Sequence, residues 1–187
     1  MSTNKKEIKF NEEALALCHK IMKRYPEGKH KSAVLPILHI AQADFDGWLS
    51  AEVMDYVASI LKIQPIEVYE VASFYSMFNL KPVGKCVIEV CRTGPCWLLG
   101  AEDIVQYIEK KLNIKTGETT KDGMFTLKTV ECLASCGTAP MMQIGEKYHE
   151  HLTCESVDKI VEEYKTKNEQ VSHWRKERIT NHSDIKQ

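Results

Sequence analysis

The chain has 187 residues, 43% of them hydrophobic and 27% charged, which is an ordinary composition for a globular protein with one sizeable core or two small ones. Its formal net charge of −1 argues against a nucleic-acid partner, because binding to phosphates needs a surplus of basic residues. Its apolar stretches end well short of the roughly 20 residues that span a bilayer, and its first residues carry neither a signal-peptide nor a transit-peptide pattern. We therefore expect a cytoplasmic protein that does not insert directly into a membrane.

The first 80 residues have the periodicity of helices. Asn11, Ser32 and Ser50 each precede apolar residues at three- and four-residue spacing, so we expect them to cap three helices at their N-termini. A fourth helix is predicted over residues 66–78. Residues 1–80 are therefore assigned to an N-terminal helical bundle. The aromatic side chains that we expect in its core are Phe74, Tyr75 and Phe78.

After a hinge rich in helix-breaking residues, 81–85, the pattern changes to short β-branched runs that alternate with helical segments. The predicted order, β-α-β-β-β-α, fits a compact α/β sandwich of the thioredoxin kind. We assign residues 81–165 to this domain and residues 166–187 to a polar C-terminal tail, so the predicted fold class is α+β. The predicted elements of the domain are a strand over 86–90, a helix over 97–112, strands over 124–130, 141–144 and 147–152, and a helix from about Ser156.

Four of the seven cysteines form two pairs, C-x4-C at Cys91 and Cys96 and C-x3-C at Cys132 and Cys136. Each pair follows a predicted strand and leads into a glycine-containing loop, so both loops can lie at the same edge of one sheet. A cytosolic compartment keeps thiols reduced, and an odd number of cysteines indicates ligands and core thiols rather than a disulfide framework. The four thiolates can therefore meet at one site.

Several occupants of this site are compatible with the cysteine spacing. A binuclear iron–sulfur cluster is favoured, because each iron takes two thiolates and two bridging sulfides, and wide loops suit so bulky a group. A structural zinc ion, which would make the chain a zinc-stabilised docking scaffold, usually takes tighter C-x2-C pairs. A redox dithiol also prefers C-x2-C, at the start of a helix. Two disulfides and four unliganded thiols stay open as alternatives.

Small and apolar residues near the two pairs also suit a cluster. Gly94 and Gly137 allow positive φ and leave room for sulfide, and Arg92 can offset the negative charge of four thiolates. We therefore expect a site that is partly shielded from water. The residues expected to provide this shield are Trp97, Leu99, Leu133, Ala139 and Pro140.

The remaining cysteines and a histidine pair are assigned ordinary packing roles. Cys86 and Cys154 are expected to be packing thiols, and Cys18 a core thiol of the first helix. His149 and His151 are expected on a polar strand face, because histidine ligands of a Rieske centre would lie within the cysteine loops. The sequence has no G-x-G-x-x-G loop and no evident Ser-His-Asp constellation, so the chain is not expected to bind NADH or flavin by itself.

Three sequence motifs resemble those of one known family. They are VASFYSMFNLKPVGK at 71–85, VCRTGPCWLLGA at 90–101 and ECLASCGTAP at 131–140, within a similarity that covers about residues 15–164. Together they closely resemble the small iron–sulfur subunit of NADH:quinone oxidoreductase, respiratory complex I. The resemblance implies a thioredoxin-like ferredoxin domain preceded by a helical bundle.

The resemblance also implies one [2Fe-2S] cluster on Cys91, Cys96, Cys132 and Cys136, which match the ligands of the family in type and spacing. The cluster would lie as a side branch beside the FMN of a neighbouring subunit, which binds NADH and carries out hydride transfer. A larger iron–sulfur subunit is a further candidate neighbour, and the complex would hold the chain peripherally on the inner face of a membrane. Related subunits serve NAD-linked hydrogenases and formate dehydrogenases, which stay open as alternative parent enzymes.

Overall fold

The computed structural model describes residues 8–171, and these residues divide into two compact units, residues 8–82 and residues 83–171. The first unit is helical and the second combines helices with a sheet, so the predicted α+β class is confirmed. None of the helices within residues 8–171 is long and apolar enough to cross a membrane. The helices are α1 (Glu12–Met22), α2 (Val34–Asp44), α3 (Ala51–Leu61), α4 (Pro65–Phe74), α5 (Gly94–Leu98), α6 (Ala101–Leu112) and α7 (Cys154–Lys167), and the strands are β1 (Cys86–Cys91), β2 (Phe125–Val130), β3 (Met142–Ile144) and β4 (Lys147–His149).

Two of the three predicted helix caps of the first unit are confirmed. The side chains of Asn11 and Ser50 each accept a hydrogen bond from the backbone N–H three residues further on, at 2.8 Å and 3.2 Å. The predicted cap at Ser32 is wrong, because Ser32 lies within a short 3₁₀ turn, His30–Ala33, and α2 begins after it without a side-chain cap. The helices of this unit enclose one apolar core, whose largest fully buried side chains are Ile21, Ile37, Leu38, Leu49 and Leu61.

The predicted burial of the aromatic residues at the end of α4 is wrong for two of the three. Phe74 and Tyr75 are 80% and 40% exposed, and only Phe78 enters the core. The cause is the end of the helix, since α4 stops at Phe74 and Tyr75 has an extended backbone. Buried Gln42 hydrogen-bonds two backbone groups of the segment that follows, at 3.1 Å and 2.6 Å. The three aromatic side chains therefore do not share one helical face.

The second unit contains a four-stranded sheet in the order β2-β1-β3-β4, in which β1 is parallel to β2 and antiparallel to β3. β1 is buried along its whole length, as expected for a central strand. Every second residue of β1 enters an apolar core that it shares with α6 and α7. The central members of this core are Ile88, Val90, Ile108, Leu127, Met142 and Val161.

The sheet has one edge at which both parallel strands end. Cys91, the last residue of β1, lies opposite Val130, the last residue of β2. The carboxyl ends of neighbouring parallel strands meet at the same edge, so the loops that follow β1 and β2 start side by side. The first loop carries Cys96 and the second carries Cys132 and Cys136.

The helices of the second unit differ from the prediction at their starts. The single helix predicted over residues 97–112 is divided, because Gly100 has a φ of 89° and separates α5 from α6. The last helix begins at Cys154 rather than near Ser156. Thr153 caps it by accepting a hydrogen bond from the Ser156 N–H at 3.2 Å. From residue 172 onward, the predicted C-terminal tail lies outside the described residues.

Candidate metal centre

The four paired cysteines lie at the edge of the sheet where β1 and β2 end. Cys91 closes β1 and Cys96 lies on α5, and both side chains are buried. Cys132 and Cys136 lie in the loop after β2, and both are exposed. α5 lies against the 3₁₀ turn Cys136–Thr138, which brings the two loops into contact. The site therefore has a buried half and a solvent-facing half.

The structure brings the four thiols together as two pairs. The thiol of Cys91 interacts with that of Cys96, and the thiol of Cys132 interacts with that of Cys136. Cys136 also interacts electrostatically with Cys91 and Cys96. Within residues 8–171, no three His, Cys, Asp or Glu side chains are grouped closely enough to hold a single metal ion. An arrangement in two pairs fits a binuclear cluster, because each of its irons takes two thiolates.

Backbone N–H groups face the buried pair of sulfurs. The backbone N–H groups of Thr93 and Leu133 lower the pKa of Cys91, and that of Met141 lowers the pKa of Cys96. Leu133 belongs to the second cysteine loop and packs against the apolar cluster that contains Cys91 and Cys96, so the two loops meet at the site. Donors of this kind stabilise thiolates, orient them as ligands and influence the reduction potential of an iron–sulfur cluster.

The thiol groups of the site differ in acidity. Burial alone raises the pKa of Cys91, but hydrogen bonds from Thr93 and Leu133 and the contact with Cys96 outweigh it, so the pKa lies below its usual value. At Cys96, burial and then the contact with Cys91 raise the pKa to about 11. The hydrogen bond with Cys132 raises the pKa of Cys136. Metal binding releases such protons, because a coordinating thiol is deprotonated.

The second cysteine loop turns at Ala134 rather than at a glycine. Ala134 has a φ of 60°, and its N–H donates to the Cys132 sulfur at 3.3 Å. Gly94 has the expected positive φ, 41°, but the corresponding expectation for Gly137 is wrong. Gly137 lies in the 3₁₀ turn Cys136–Thr138, whose backbone is right-handed. The N–H that donates to the Cys132 sulfur therefore belongs to the left-handed residue of this loop.

The apolar cover of the site is only partly as predicted. Trp97 and Leu99, both expected to shield the site, are 64% and 58% exposed, and Leu98 between them is 74% exposed. The reason is that α5 is a short helix with one buried side. Cys96 occupies that side, so the side chains of the three residues that follow it point to solvent. We call Trp97, Leu98 and Leu99 the apolar triplet. The apolar residues that pack around the buried thiols are Ala101, Leu133, Ala139 and Met141.

The other cysteines and His149 lie outside the site. Cys18 and Cys86 are buried, which confirms them as packing thiols, and burial raises their pKa values to about 12 and about 11. Cys154 is exposed at the first position of α7, so its predicted packing role is wrong. His149 is buried, not on a polar face, and its Nε2 lies 3.3 Å from the hydroxyl of Tyr164. The rings of His149 and Tyr164 pack edge to face, with their centroids 5.8 Å apart.

Four polar residues that hold the second cysteine loop were not predicted. Glu150 accepts hydrogen bonds from Ser135 and Thr138, and Tyr148 donates to the Leu133 carbonyl. Ser135 and Thr138 are short hydroxyl residues beside Cys136, a pattern typical of side-chain bonds in turns, so sequence could have marked them. Tyr148 and Glu150 act across 12 to 15 residues, and no local pattern marks such contacts.

The fold and the site define a class of protein, namely a thioredoxin-like domain with two cysteine loops at one edge of its sheet. A family model described as thioredoxin-like [2Fe-2S] ferredoxin matches residues 18–165. The chain therefore belongs to the thioredoxin-like [2Fe-2S] ferredoxin family, and the family expected from the sequence motifs is confirmed.

Curated relatives agree with this membership, and a solved structure shares the fold. The chain is 49% identical over 164 residues to a subunit of the NADH-quinone oxidoreductase of Rickettsia felis, covering 88% of this chain and 96% of the relative. It is 43% identical to NADH dehydrogenase [ubiquinone] flavoprotein 2, mitochondrial, of Dictyostelium discoideum, covering 83% of this chain and 63% of the relative. A chain of the crystal structure of NAD+-reducing [NiFe]-hydrogenase in the air-oxidized state shares the fold, with a TM-score of 0.64 and 19% identity over 76% of this chain. This chain spans about a quarter, 24%, of that hydrogenase chain.

Proposed function

We propose that this chain is an electron-transfer subunit that carries one [2Fe-2S] cluster on Cys91, Cys96, Cys132 and Cys136. The observation that carries the proposal is the arrangement of the thiols in two pairs at one edge of the sheet. Cys91 and Cys96 from the first loop and Cys132 and Cys136 from the second would together hold the cluster. When bound, a [2Fe-2S] cluster supplies the reversible exchange of single electrons.

The proposed partner is the flavin- and NADH-binding subunit of an NADH:quinone oxidoreductase. Relatives that are 49% and 43% identical carry the names of subunits of such an enzyme, which supports this parent enzyme. The likeness to the hydrogenase, at 19% identity, supports only the fold. Hydride transfer is assigned to the partner, and this chain exchanges electrons only. A larger iron–sulfur subunit would be a second neighbour, and the complex would hold the chain peripherally on the inner face of a membrane.

The partner is placed on the solvent-facing half of the site. Electron exchange requires the cluster to lie close to the partner's flavin, and Cys132 and Cys136 are the exposed ligands. The apolar triplet continues this surface, because α5 lies against the 3₁₀ turn that begins at Cys136. A group of exposed apolar side chains is typical of a protein interaction site. The exposed thiols and the apolar triplet are therefore proposed to contact the flavin-binding subunit.

Metal analysis of the purified full chain tests the cluster. We expect brown protein with about two irons and about two acid-labile sulfides per chain, since a binuclear cluster contains both in equal number. Reduction by dithionite is expected to produce a paramagnetic signal of spin one-half. Stoichiometric zinc without iron would contradict the proposal and favour the zinc-stabilised docking scaffold.

Replacement of Trp97 by alanine tests the docking surface. We expect the affinity of the full chain for the purified flavin-binding subunit to fall by roughly tenfold or more, because exposed tryptophans are frequent hot spots of interfaces. Cluster content is expected to stay unchanged, since the Trp97 side chain is 64% exposed. Ile66→Ala is the matched control, because Ile66 is 60% exposed on α4, outside the unit that carries the cysteines. Equal loss of affinity in both variants would contradict a surface centred on the site.

A further inference from the structure

The two cysteine loops are supported by different means. Cys91 and Cys96 are buried in a small apolar cluster, so packing positions them. Cys132 and Cys136 are exposed, and packing alone constrains their loop less. The second loop must therefore be positioned by polar contacts, and the structure provides them from β4 and the residues that follow it.

Glu150 accepts two hydrogen bonds from the second loop through a single carboxylate oxygen. Its Oε1 accepts a hydrogen bond from the Ser135 hydroxyl at 2.6 Å and another from the Thr138 hydroxyl at 2.6 Å. These two residues lie on either side of Cys136 in sequence, so one carboxylate oxygen holds the chain before and after that thiol. Hydrogen bonds to an ionised acceptor are about twice as strong as those between neutral groups.

A second contact holds the part of the loop between the two thiols. The Tyr148 hydroxyl donates to the carbonyl of Leu133 at 2.9 Å. Leu133 packs against the apolar cluster that contains Cys91 and Cys96, so Tyr148 also orients the residue at which the two loops meet. The His151 N–H donates to the Thr138 carbonyl at 2.8 Å, which adds a backbone bond to the same turn. Both the middle and the end of the second loop are thus bonded to residues 148–151.

We infer that Glu150 and Tyr148 are positioning residues of the metal centre. They hold Cys132 and Cys136 at the separation and orientation that four-thiolate binding needs, without touching the metal group themselves. The negative charge of Glu150, beside the loop, also disfavours the addition of an electron and lowers the reduction potential. This inference rests on the proposed function, since it assigns roles toward the cluster proposed there.

The inference predicts separate effects of charge and of hydrogen bonding. Glu150→Gln keeps an oxygen acceptor and removes the charge, so we expect full iron content and a more positive reduction potential, with the equilibrium constant for reduction raised roughly threefold. Glu150→Ala removes the acceptor too, and we expect iron release to a chelator to be roughly tenfold faster. Tyr148→Phe is expected to speed iron release without the change in potential.

The test uses the full chain, with redox titration followed by electron paramagnetic resonance and with the rate of iron transfer to a chelator. Glu162→Gln, which makes the same charge change at an exposed position of α7, is the matched control. Thermal unfolding of each variant confirms that the protein compared is folded. An unaltered chain without iron would contradict the proposed function itself. If the unaltered chain carries the expected iron but the Glu150 variants match Glu162→Gln in reduction potential and in iron release, this inference is wrong and the proposed function still stands.

Discussion

A Cys91→Ser variant of the full chain is expected to purify with little or no iron, whereas a Cys154→Ser variant keeps the iron content of the unaltered chain. Serine has no thiolate, so one iron would keep a single cysteine ligand from this chain. Cys91 is also buried in a small apolar cluster, which encloses its sulfur. Loss of a hydrogen-bonded neighbour of a metal ligand costs about 10- to 100-fold in affinity, and loss of the ligand itself is expected to cost more.

Variants at the other cysteines separate ligands from spare thiols. Cys96→Ser, Cys132→Ser and Cys136→Ser are expected to behave like Cys91→Ser, with iron and acid-labile sulfide measured per folded chain. Cys154 is a better control than Cys18, because Cys154 is exposed, as are Cys132 and Cys136. Cys18→Ser would place a hydroxyl in a fully buried core position and lower stability for a different reason. Equal iron loss from Cys154→Ser, or full iron in Cys91→Ser, would contradict the assignment of the ligands.

The position of the site could be predicted because it depends on local patterns. The β-branched run before Cys91 and the run before Cys132 each form a strand, and the strands pair in parallel with Cys91 opposite Val130. Two loops that follow parallel neighbours start at one edge, so chain order and strand length were enough to bring the cysteines together. The caps at Asn11 and Ser50 were predictable for the same reason, since each depends on a few adjacent residues.

Exposure of side chains could not be predicted from periodicity. Phe74 and Trp97 fit helical patterns, but each lies near a helix end that the sequence did not mark, and both are exposed. The helix break before α6 requires the left-handed Gly100, and the end of α4 is followed by backbone that buried Gln42 bonds from another helix. Hydrophobic periodicity registers neither a left-handed backbone at Gly100 nor hydrogen bonds from a distant helix such as those of Gln42.

The residues that support the second cysteine loop could not be predicted from local sequence patterns either. The loop sequence contains two of the proposed ligands, but Tyr148 and Glu150, which hydrogen-bond the loop, come close to it only through the pairing of β4 with β3. The two kinds of strand in this mixed sheet thus have different roles. The cysteine loops follow the parallel strands β1 and β2, and residues of the antiparallel strand β4 and just after it hydrogen-bond the exposed second loop. The proposed ligands can consequently be picked out from local sequence, whereas the contacts that position their loop depend on the complete sheet.

Acidification is expected to destabilise the second unit through His149. Burial lowers the pKa of His149 to about 4, and nearby Lys147 and Lys167 act in the same direction while Glu163 opposes them. The unfolded chain binds a proton with the ordinary pKa of about 6.5, so the unfolded state takes up protons first as the pH falls. The stabilisation from neutral buried His149 is complete above about pH 6.5 and decreases as the pH falls toward about 4. Between about pH 7 and about pH 5, the expected loss is about 2 kcal/mol in the free energy of unfolding.

Chemical denaturation of the full chain at several pH values measures this effect against a non-titrating variant. His149→Gln keeps a polar partner for the Tyr164 hydroxyl, which lies 3.3 Å from Nε2, but cannot take up the proton. We expect its free energy of unfolding to fall less on acidification than that of the unaltered chain, by about 2 kcal/mol over the same interval. His19→Gln changes an exposed histidine of α1 and is the matched control, expected to follow the unaltered chain. Parallel pH curves for His149→Gln and the unaltered chain would show that His149 is not the group responsible.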